Sequence, residues 1–459
     1  MQTGSPNLHE PDAAFFEHPP GYRLRRFRNW FFLGLLYASY YLCRYNLGIV
    51  SPELREEFGF NNEQYGAINS ARDGGYAVGQ FVNGLFADRL GGIQSMAIGA
   101  LGTIILNVCF GLTSWSAISW MLVALVTIRL FDGYMQAFGA PGMVKINAAW
   151  FVRRERGRFA GIFGGMIQLG AISVGALGKY LLIGFTIPVI AIVVGRQDWR
   201  MMFFVPPAIL AFVLIITCLN VKNHPEQAGY HIQHDDETAD DRHDERLPLA
   251  LVFRRIAGNP LAWINAGAYF CTGFVRRAIE AWWVLYLVEQ WKADKTSSYY
   301  SALVWLLPIS AFVGSFSSGL ISDTLFRGRR SPVAALLYGL ETVCVLIALV
   351  VLGYTDHGTP LVACLLFVLI SLTCNSSHSI IGTAAAMDIG GRKMTGFACG
   401  VIDSFQYFGA ILAGFMLGRL IDGHGWNALF AAMLPFSTLG AILMTGIWWK
   451  TRGRDVRGS

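Results

Sequence analysis

The chain has 459 residues, of which 54% are hydrophobic and only 14% are charged, and it carries 51 glycines. This composition excludes an ordinary set of soluble domains and indicates a polytopic helical membrane protein. The formal net charge of +6 does not indicate nucleic-acid binding, because the basic residues cluster in short segments between apolar runs. The sequence therefore predicts an all-α membrane protein that contacts the lipid bilayer and no nucleic acid.

Apolar runs long enough to cross a bilayer recur along the chain, and their number predicts about twelve transmembrane helices. They lie near 29–50, 64–86, 93–113, 118–143, 158–182, 200–220, 261–289, 299–321, 333–353, 360–384, 396–418 and 428–448. The mixed-charge stretch HDDETADDRHDER between the sixth and seventh runs indicates a solvated linker between two six-helix halves. The predicted domains are a cytoplasmic N-terminal segment at 1–28, helical bundles at 29–221 and 257–449, a cytoplasmic linker at 222–256 and a cytoplasmic tail at 450–459.

Basic segments alternate with neutral loops. Arginines and lysines cluster at 23–28, 153–158, 327–330 and 392–393, whereas the loops near 113–120 and 354–359 contain none. The positive-inside rule therefore places both termini in the cytoplasm, and the expected location is a bacterial inner membrane. All eight cysteines lie in apolar runs without CxxC spacing, so we predict packing residues and neither a metal nor another cofactor.

A sequence echo relates the two halves. GQFVNGLFAD at 79–88 and GSFSSGLISD at 314–323 agree at five positions, including Gly84 with Gly319 and Asp88 with Asp323. Each motif enters a basic turn, which begins at Arg89 in the first half. One interpretation of the motif is structural, because glycines allow helices to pack closely. The alternative is a gate in which the aspartates pair with cytoplasmic arginines. Parallel repeats of this kind predict two pseudo-twofold related bundles with a substrate between them near the midplane.

Arg44 is a lone charge in the apolar first helix, and Tyr37, Tyr40 and Tyr41 precede it. A charge at the membrane centre costs roughly 2.5–3.5 kcal/mol, so it indicates a function. A guanidinium donates two parallel hydrogen bonds to a phosphate, and phenol groups suit the remaining oxygens. We therefore predict an anion site at Arg44, although the side chain is also near enough to the helix end to reach the interface.

Arg276 and Arg277 lie in the seventh helix, followed by Glu280. Glu280 is spaced to pair with either arginine, so we expect one arginine to pair with Glu280 and the other to bind the anion. Arg276 is the preferred anion ligand. The paired arginine and Glu280 are candidates for coupling. Trp282 is a candidate for contact with the cargo, although aromatic residues are also common at membrane interfaces.

Further ionisable residues in the apolar helices are Arg72, Asp73, His378 and Asp403. Adjacent helical residues point about 100° apart, so we do not expect Arg72 and Asp73 to neutralise each other on one face. One of them is expected at the cavity mouth. His378 is either a group that tunes phosphate protonation or a hydrogen-bonded cavity residue. Asp403 is a candidate for proton coupling.

Three segments together resemble one known family: YYLCRYNLGIVSPELREEFGF at 40–60, GYMQAFGAPGMVKINAAWFVRRERGRFAG at 133–161 and FVRRAIEAWWVLYL at 274–287. They are similar to the organophosphate:phosphate antiporters of the major facilitator superfamily, and the resemblance covers nearly the full length. It implies the major facilitator fold, with Arg44 and Arg276 as the two phosphate arginines. It also implies exchange of an organic phosphate for inorganic phosphate.

The chain departs from this family at several positions. Tyr45 and Gln80 stand where the family often has lysine. Ile167 replaces a histidine of the glycerol-3-phosphate transporters, which argues against glycerol 3-phosphate as the substrate. A weaker echo between RFAGIFGGMIQ and GFACGVIDSFQ places Gln168 and Gln406 in equivalent helices. The stretch LLIGFTIPVIAIVV is longer than usual, so we expect helix five to extend or to bend at Pro188.

The function predicted from these residues is transport of a phosphorylated organic anion in exchange for inorganic phosphate, by a monomer with no enzymatic activity. Arg44 and Arg276 are expected to bind the phosphoryl group. The expected contacts to the remainder of the cargo are Tyr37, Tyr40, Tyr41, Gln80, Gln168, Trp282, His378 and Gln406. The alternatives are a sugar-phosphate sensor of the same fold and a proton-coupled anion symporter that uses Asp73, Glu280, Asp403 or His378.

Overall fold

The computed structural model describes residues 19–116, 118–151, 153–187, 192–195, 197–230, 258–326, 329–355 and 358–451. Within these ranges the chain is built almost entirely from helices. The helices of the first half are α1 (Tyr22–Ile49), α2 (Ser51–Phe58), α3 (Asn62–Leu90), α4 (Gly92–Thr113), α5 (Met121–Gln136), α6 (Gly139–Trp150), α7 (Arg153–Ile183) and α8 (Val205–Asn220). Those of the second half are α9 (Pro260–Leu285), α10 (Ser298–Leu325), α11 (Arg330–Gly353), α12 (Pro360–Ser379), α13 (Ala386–His424) and α14 (Asn427–Thr451).

Nine helical segments in the described part of the chain are long and apolar enough to cross a membrane by composition alone, and one of them joins α5 to α6. The helices α1, α3 and α9 are not among them, although they contain 28, 29 and 26 residues. At about 1.5 Å per residue, each is longer than the roughly 30 Å hydrocarbon core. These three helices carry Arg44, Arg72, Asp73, Arg276 and Arg277. Their low hydropathy therefore reflects charges held inside the bundle, and they complete the predicted twelve spans.

The two halves are packed in the same way. The helix α1 packs on α7 and α8 as α9 packs on α13 and α14, and α3 packs on α5 as α10 packs on α12. The halves meet where α3 packs on α13 and where α7 packs on α10, two contacts that a pseudo-twofold axis exchanges. This arrangement confirms the predicted pair of six-helix bundles.

The repeated motif begins with a packing glycine in each half. A Cβ at Gly79 would lie 2.6 Å from the Cβ of Ala137, and a Cβ at Gly314 would lie 2.3 Å from the carbonyl oxygen of Leu372. Small residues at these two positions therefore allow the equivalent contacts of α3 with α5 and of α10 with α12. Gly319 has open space around it within 4 Å. The surroundings of Gly84 and the side chains of Asp88, Arg89 and Asp323 lie outside the described residues.

We call the end of the bundle where α1 ends at Ile49 the distal end. There α2 follows α1, and residues of the second half hold it. Lys295 Nζ lies 2.6 Å from both carboxylate oxygens of Glu53 and donates to the carbonyl oxygen of Ile49 at 2.7 Å. Arg55 forms an ion pair with Glu289. The distal clasp formed by Glu53, Arg55, Glu289 and Lys295 therefore joins the two halves.

The helices α3 and α13 approach each other closely near the distal end. A Cβ at Gly66 would lie 2.1 Å from the carbonyl oxygen of Gly414, so backbone meets backbone at this point. Ser70 Oγ donates to the carbonyl oxygen of Ile411 at 2.6 Å. Asp422 accepts hydrogen bonds from the backbone and side-chain nitrogens of Asn62 at 3.0 and 2.8 Å. The two halves are therefore closed against each other at the distal end.

The end of α7 differs from the sequence prediction. The helix ends at Ile183, Gly184 takes a φ of 92°, and a two-stranded antiparallel hairpin pairs Phe185–Ile187 (β1) with Ile192–Val194 (β2). The expected extension of the helix is therefore wrong. The positive φ at Gly184 breaks the helix, and the β-branched residues that follow favour strands. The expected bend at Pro188 lies outside the described residues.

Candidate substrate-binding site

Arg44 lies inside the first half, and its guanidinium is sandwiched between two aromatic rings. Its Cζ lies 4.6 Å from the ring centroids of both Tyr41 and Tyr76. Its Nε donates to Gln136 Oε1 at 2.9 Å, but its buried Nη2 has no hydrogen-bond partner. Only 7% of Arg44 is exposed, so the side chain does not reach a membrane interface. A buried donor without a partner costs free energy, and an anion would satisfy it.

The partners of Arg44 on α5 were not predicted from the sequence. Gln136 Nε2 lies 3.1 Å from both carboxylate oxygens of Asp132, and Asp132 Oδ2 pairs with Arg129 Nη1 at 2.9 Å. These three residues are spaced at i, i+3 and i+7, so they share one face of the helix. That spacing of polar residues in the apolar run MLVALVTIRLFDGYMQ is the signal that could have identified them.

Arg276 lies on α9 and lines a cavity between the halves. Its Nε pairs with Glu280 Oε1 at 2.9 Å, and its Nη1 lies 3.3 Å from His378 Nε2. With the Gln406 amide oriented to satisfy its neighbours, its oxygen accepts from Arg276 Nη1 at 3.1 Å and its nitrogen donates to Asp403 Oδ1 at 3.2 Å. The predicted residues Glu280, His378, Asp403 and Gln406 are thus brought together around one guanidinium.

Arg277 points away from this cavity, toward the first half. Its Nη2 pairs with Asp73 on α3, and its Nη1 lies 3.3 Å from Glu280 Oε2. Asp73 also pairs with Arg72, so the expectation that these neighbours would not neutralise each other is wrong. The Arg72 side chain is long enough to fold back, and its Nη1 also donates to the carbonyl oxygen of Arg44 at 3.1 Å. Both Arg72 and Asp73 are buried rather than placed at a cavity mouth.

Arg44 and Arg276 converge from opposite halves. The ring of Tyr41 lies over Arg44 and 5.6 Å from the ring of Tyr45. Tyr45 donates to Glu280, which pairs with Arg276. The rings of Tyr76 and Tyr407 lie 4.5 Å apart between centroids, so they connect α3 to α13 beside Arg44. The two cations therefore share one cluster of tyrosines at the contact between the halves.

The cavity beside Arg276 is lined by α1, α7, α9, α10 and α12. Its polar side chains are Tyr45, Gln168, Arg276, Glu280, Ser371 and Asn375, and its wall is otherwise apolar. Tyr45 donates to Glu280 Oε1 at 3.3 Å and so links the halves here. Trp283 lines the cavity, whereas Trp282 is completely buried and donates to the carbonyl oxygen of Ala413 at 3.1 Å.

Of the eight predicted cargo contacts, only Gln168 belongs to this cavity lining, and Arg44 lies outside it as well. Tyr40 is completely buried, and its hydroxyl donates to the carbonyl oxygen of Met96 at 2.5 Å. Tyr37 packs against Tyr41 with ring centroids 5.7 Å apart. Gln80 is half-buried on α3. Among the described residues, no group of three or more histidine, cysteine or carboxylate side chains is arranged to hold a metal ion.

Comparison with known proteins identifies the family of this chain. The model of the Major Facilitator Superfamily matches residues 33–414. A probable hexose phosphate transport protein of Chlamydia trachomatis is 26% identical over 93% of this chain and 92% of the relative. A glycerol-3-phosphate transporter of Bacillus subtilis is 27% identical over 94% of each chain. The membrane sensor protein UhpC of Escherichia coli is 25% identical over 91% of this chain and 92% of the relative.

A solved structure supports the fold. The crystal structure of a bacterial homolog to the human lysosomal transporter Spinster, in an inward-facing and unoccupied conformation, superposes with a TM-score of 0.67. It covers 92% of this chain and 94% of that chain at 16% identity, so the likeness concerns the fold alone. The family consists of membrane transporters rather than enzymes, and the relatives support the resemblance to organophosphate:phosphate antiporters. The chain belongs to the Major Facilitator Superfamily.

Proposed function

We propose that the protein exchanges a phosphorylated organic anion for inorganic phosphate across a bacterial inner membrane. The observation that carries this proposal is the buried Nη2 of Arg44, which has no partner in a cluster where Arg276 approaches from the other half. A phosphoryl group carries several strong acceptor oxygens and matches the fork of a guanidinium. The names of the hexose phosphate and glycerol-3-phosphate relatives support the same cargo class.

In the proposed cycle, Arg44 and Arg276 bind the phosphoryl group from opposite halves, and the remainder of the cargo contacts Gln168 and Asn375. With both termini in the cytoplasm, the closed distal end faces the periplasm. Because the arginines lie on different bundles, bound cargo stabilises a state in which the two halves approach each other. Alternating access then separates α3 from α13 at the distal end, in a monomeric carrier.

A proton-coupled symporter is a second candidate, and the pairing of Arg276 with Glu280 at 2.9 Å favours it. For a phosphoryl group to bind Arg276 fully, the Glu280 carboxylate must turn aside or take up a proton. A sensor is the third candidate, because UhpC is 25% identical to this chain. A sensor would bind the same anion without carrying flux.

Counterflow in proteoliposomes tests the proposal. Vesicles loaded with inorganic phosphate are expected to take up labelled phosphate, and three- and six-carbon phosphate esters are expected to compete. Uptake that stops when a protonophore is added would support the symporter instead. A wild-type protein that binds these anions in detergent but carries no flux would support the sensor.

A further inference from the structure

Arg44 and Arg276 are held in opposite ways, although the proposed function gives them the same role. Arg276 Nε donates to the carboxylate of Glu280 at 2.9 Å, whereas Arg44 Nε donates to the neutral amide of Gln136 at 2.9 Å. An amide oxygen orients a guanidinium but supplies no counter-charge. The charge of Arg44 is therefore left for a ligand.

The amide of Gln136 has one orientation that satisfies its neighbours. Its Nε2 faces both carboxylate oxygens of Asp132 at 3.1 Å, which can only accept hydrogen bonds when the carboxylate is ionised. Its oxygen must then face Arg44, which can only donate. Gln136 is 1% exposed, so no solvent competes for either end of the amide.

The charge of Asp132 is already matched by another arginine. Arg129 Nη1 pairs with Asp132 Oδ2 at 2.9 Å, and Asn107 Nδ2 donates to Oδ1 at 3.2 Å. Arg129 and Asp132 are each 1% exposed. This pair holds Gln136 in place, so that Arg44 contacts a neutral amide and no carboxylate of the described residues.

Other contacts fix the remaining parts of Arg44. Its carbonyl oxygen accepts hydrogen bonds from Arg72 Nη1 at 3.1 Å and Arg129 Nη2 at 3.4 Å. The rings of Tyr41 and Tyr76 hold the plane of the guanidinium, each 4.6 Å from its Cζ. With Nε bound to Gln136, rotation of the guanidinium is restricted and Nη2 is the buried donor left without a partner.

We propose that Gln136 is the positioning residue for Arg44 and holds its guanidinium, uncompensated, in the orientation that binds phosphoryl oxygens. This inference rests on the proposed function, because it assigns Gln136 a role at the same anion site. It contacts no cargo itself. A carboxylate at this position would supply the same acceptor and also the counter-charge, and would thereby compete with phosphate.

Two variants separate positioning from a structural role, and inorganic phosphate is the probe. Gln136→Met keeps similar volume and adds no charge, but removes the acceptor for Arg44 Nε. The double variant Asp132→Asn with Gln136→Glu keeps the number of charges and moves the negative charge next to Arg44. We expect the dissociation constant for phosphate to rise about a hundredfold in each, the loss typical of a misplaced binding group. Gln94→Glu, on an exposed residue of α4, is the matched control and should bind as wild type.

Phosphate affinity is measured by titration calorimetry in detergent, together with the melting temperature without phosphate. A purely structural role would lower the melting temperature and leave the affinity of the folded protein unchanged. Wild-type affinity in folded Gln136→Met, or in the folded double variant, would overturn the inference. Gln136→Met introduces no buried charge, so its phosphate affinity still distinguishes a positioning role from a structural role if the double variant does not fold. Absence of phosphate binding in the wild type would overturn the proposed function instead.

Discussion

The charges of the described residues around the candidate site are unevenly matched. Five arginines and four carboxylates lie in this cluster: Arg44, Arg72, Arg129, Arg276 and Arg277 with Asp73, Asp132, Glu280 and Asp403. Every arginine except Arg44 contacts a carboxylate. An isolated charge inside a membrane costs roughly 2.5–3.5 kcal/mol, and the proposed anion binding would explain why Arg44 is retained at that cost.

We predict that Arg44→Lys reduces phosphate exchange by about two orders of magnitude while the protein remains folded. Lysine keeps the charge but lacks the planar fork, and it cannot donate to Gln136 and to a phosphate in the same geometry. Initial exchange rates in proteoliposomes measure the effect. Arg28→Lys is the matched control, because Arg28 contacts Asn220 near the start of α1, far from the site. Exchange by Arg44→Lys at the wild-type rate would rule out this role.

Asp73 and Arg277 are predicted to be strongly coupled in stability. Arg277→Gln leaves the buried Asp73 with fewer partners, and Asp73→Asn removes the partner of two arginines. Removing one member of a buried ion pair leaves an uncompensated charge. We expect the change in the free energy of unfolding of the double variant to differ from the sum of the changes in the single variants by about 1–3 kcal/mol. Denaturation of all four proteins in detergent measures this difference, and strictly additive effects would show that the pair is not coupled.

At the residue scale, the sequence predicted the charges but few of their partners. Glu280 was expected to pair with one of Arg276 and Arg277, whereas it pairs with both, at 2.9 and 3.3 Å. Arg44 and Arg276 were identified because a lone arginine in an apolar helix is rare. Gln136 and Asp132 were missed because their roles depend on a contact with Arg44, which lies 92 residues from Gln136 in the sequence. Trp282 and Trp283 are neighbours on one helix, so their side chains point about 100° apart. Trp283 therefore lines the cavity, whereas the predicted Trp282 is buried in the core.

The helices themselves were largely predictable. Nine helical segments of the described chain are apolar and long enough to be identified as spans from composition alone, because an apolar run in a membrane must satisfy its backbone groups within one helix. The helices α1, α3 and α9 carry polar and charged residues that lower their hydropathy, so they are weaker signals in the sequence. The hairpin after Gly184 was not predicted, since a short run of β-branched residues also resembles the end of an apolar helix. The close approach of Gly66 to Gly414 was also unpredictable, because the two residues are distant in the sequence.

This close approach gives a prediction at the scale of helices. In Gly66→Ala, the new Cβ would lie 2.1 Å from the carbonyl oxygen of Gly414, so α3 and α13 must move apart at the distal end. We expect exchange to fall about tenfold or more, because the distal closure becomes strained, with overpacking costs of about 1–3 kcal/mol. Gly339→Ala on α11 is the matched control, since nothing lies within 4 Å of its Cβ position. Equal exchange by both variants would show that this approach is not needed.

At the scale of the whole molecule, the two halves contribute differently to the proposed anion site. Glu280 already compensates Arg276, while Arg44 has no carboxylate partner. An empty carrier must therefore carry an unpaired charge through its conformational change, and an anion that pairs with Arg44 reduces this cost. Coupling of the conformational change to bound anion is the physical basis of the proposed exchange.

Dependence of uptake on phosphate inside the vesicle is the most direct test of exchange. Proteoliposomes are prepared with or without internal phosphate, and the pH gradient and membrane potential are set independently. We predict that internal phosphate accelerates uptake of labelled organic phosphate at least tenfold, whereas an imposed proton gradient has a much smaller effect. Uptake at full rate into phosphate-free vesicles, abolished by a protonophore, would contradict exchange and assign the coupling to protons.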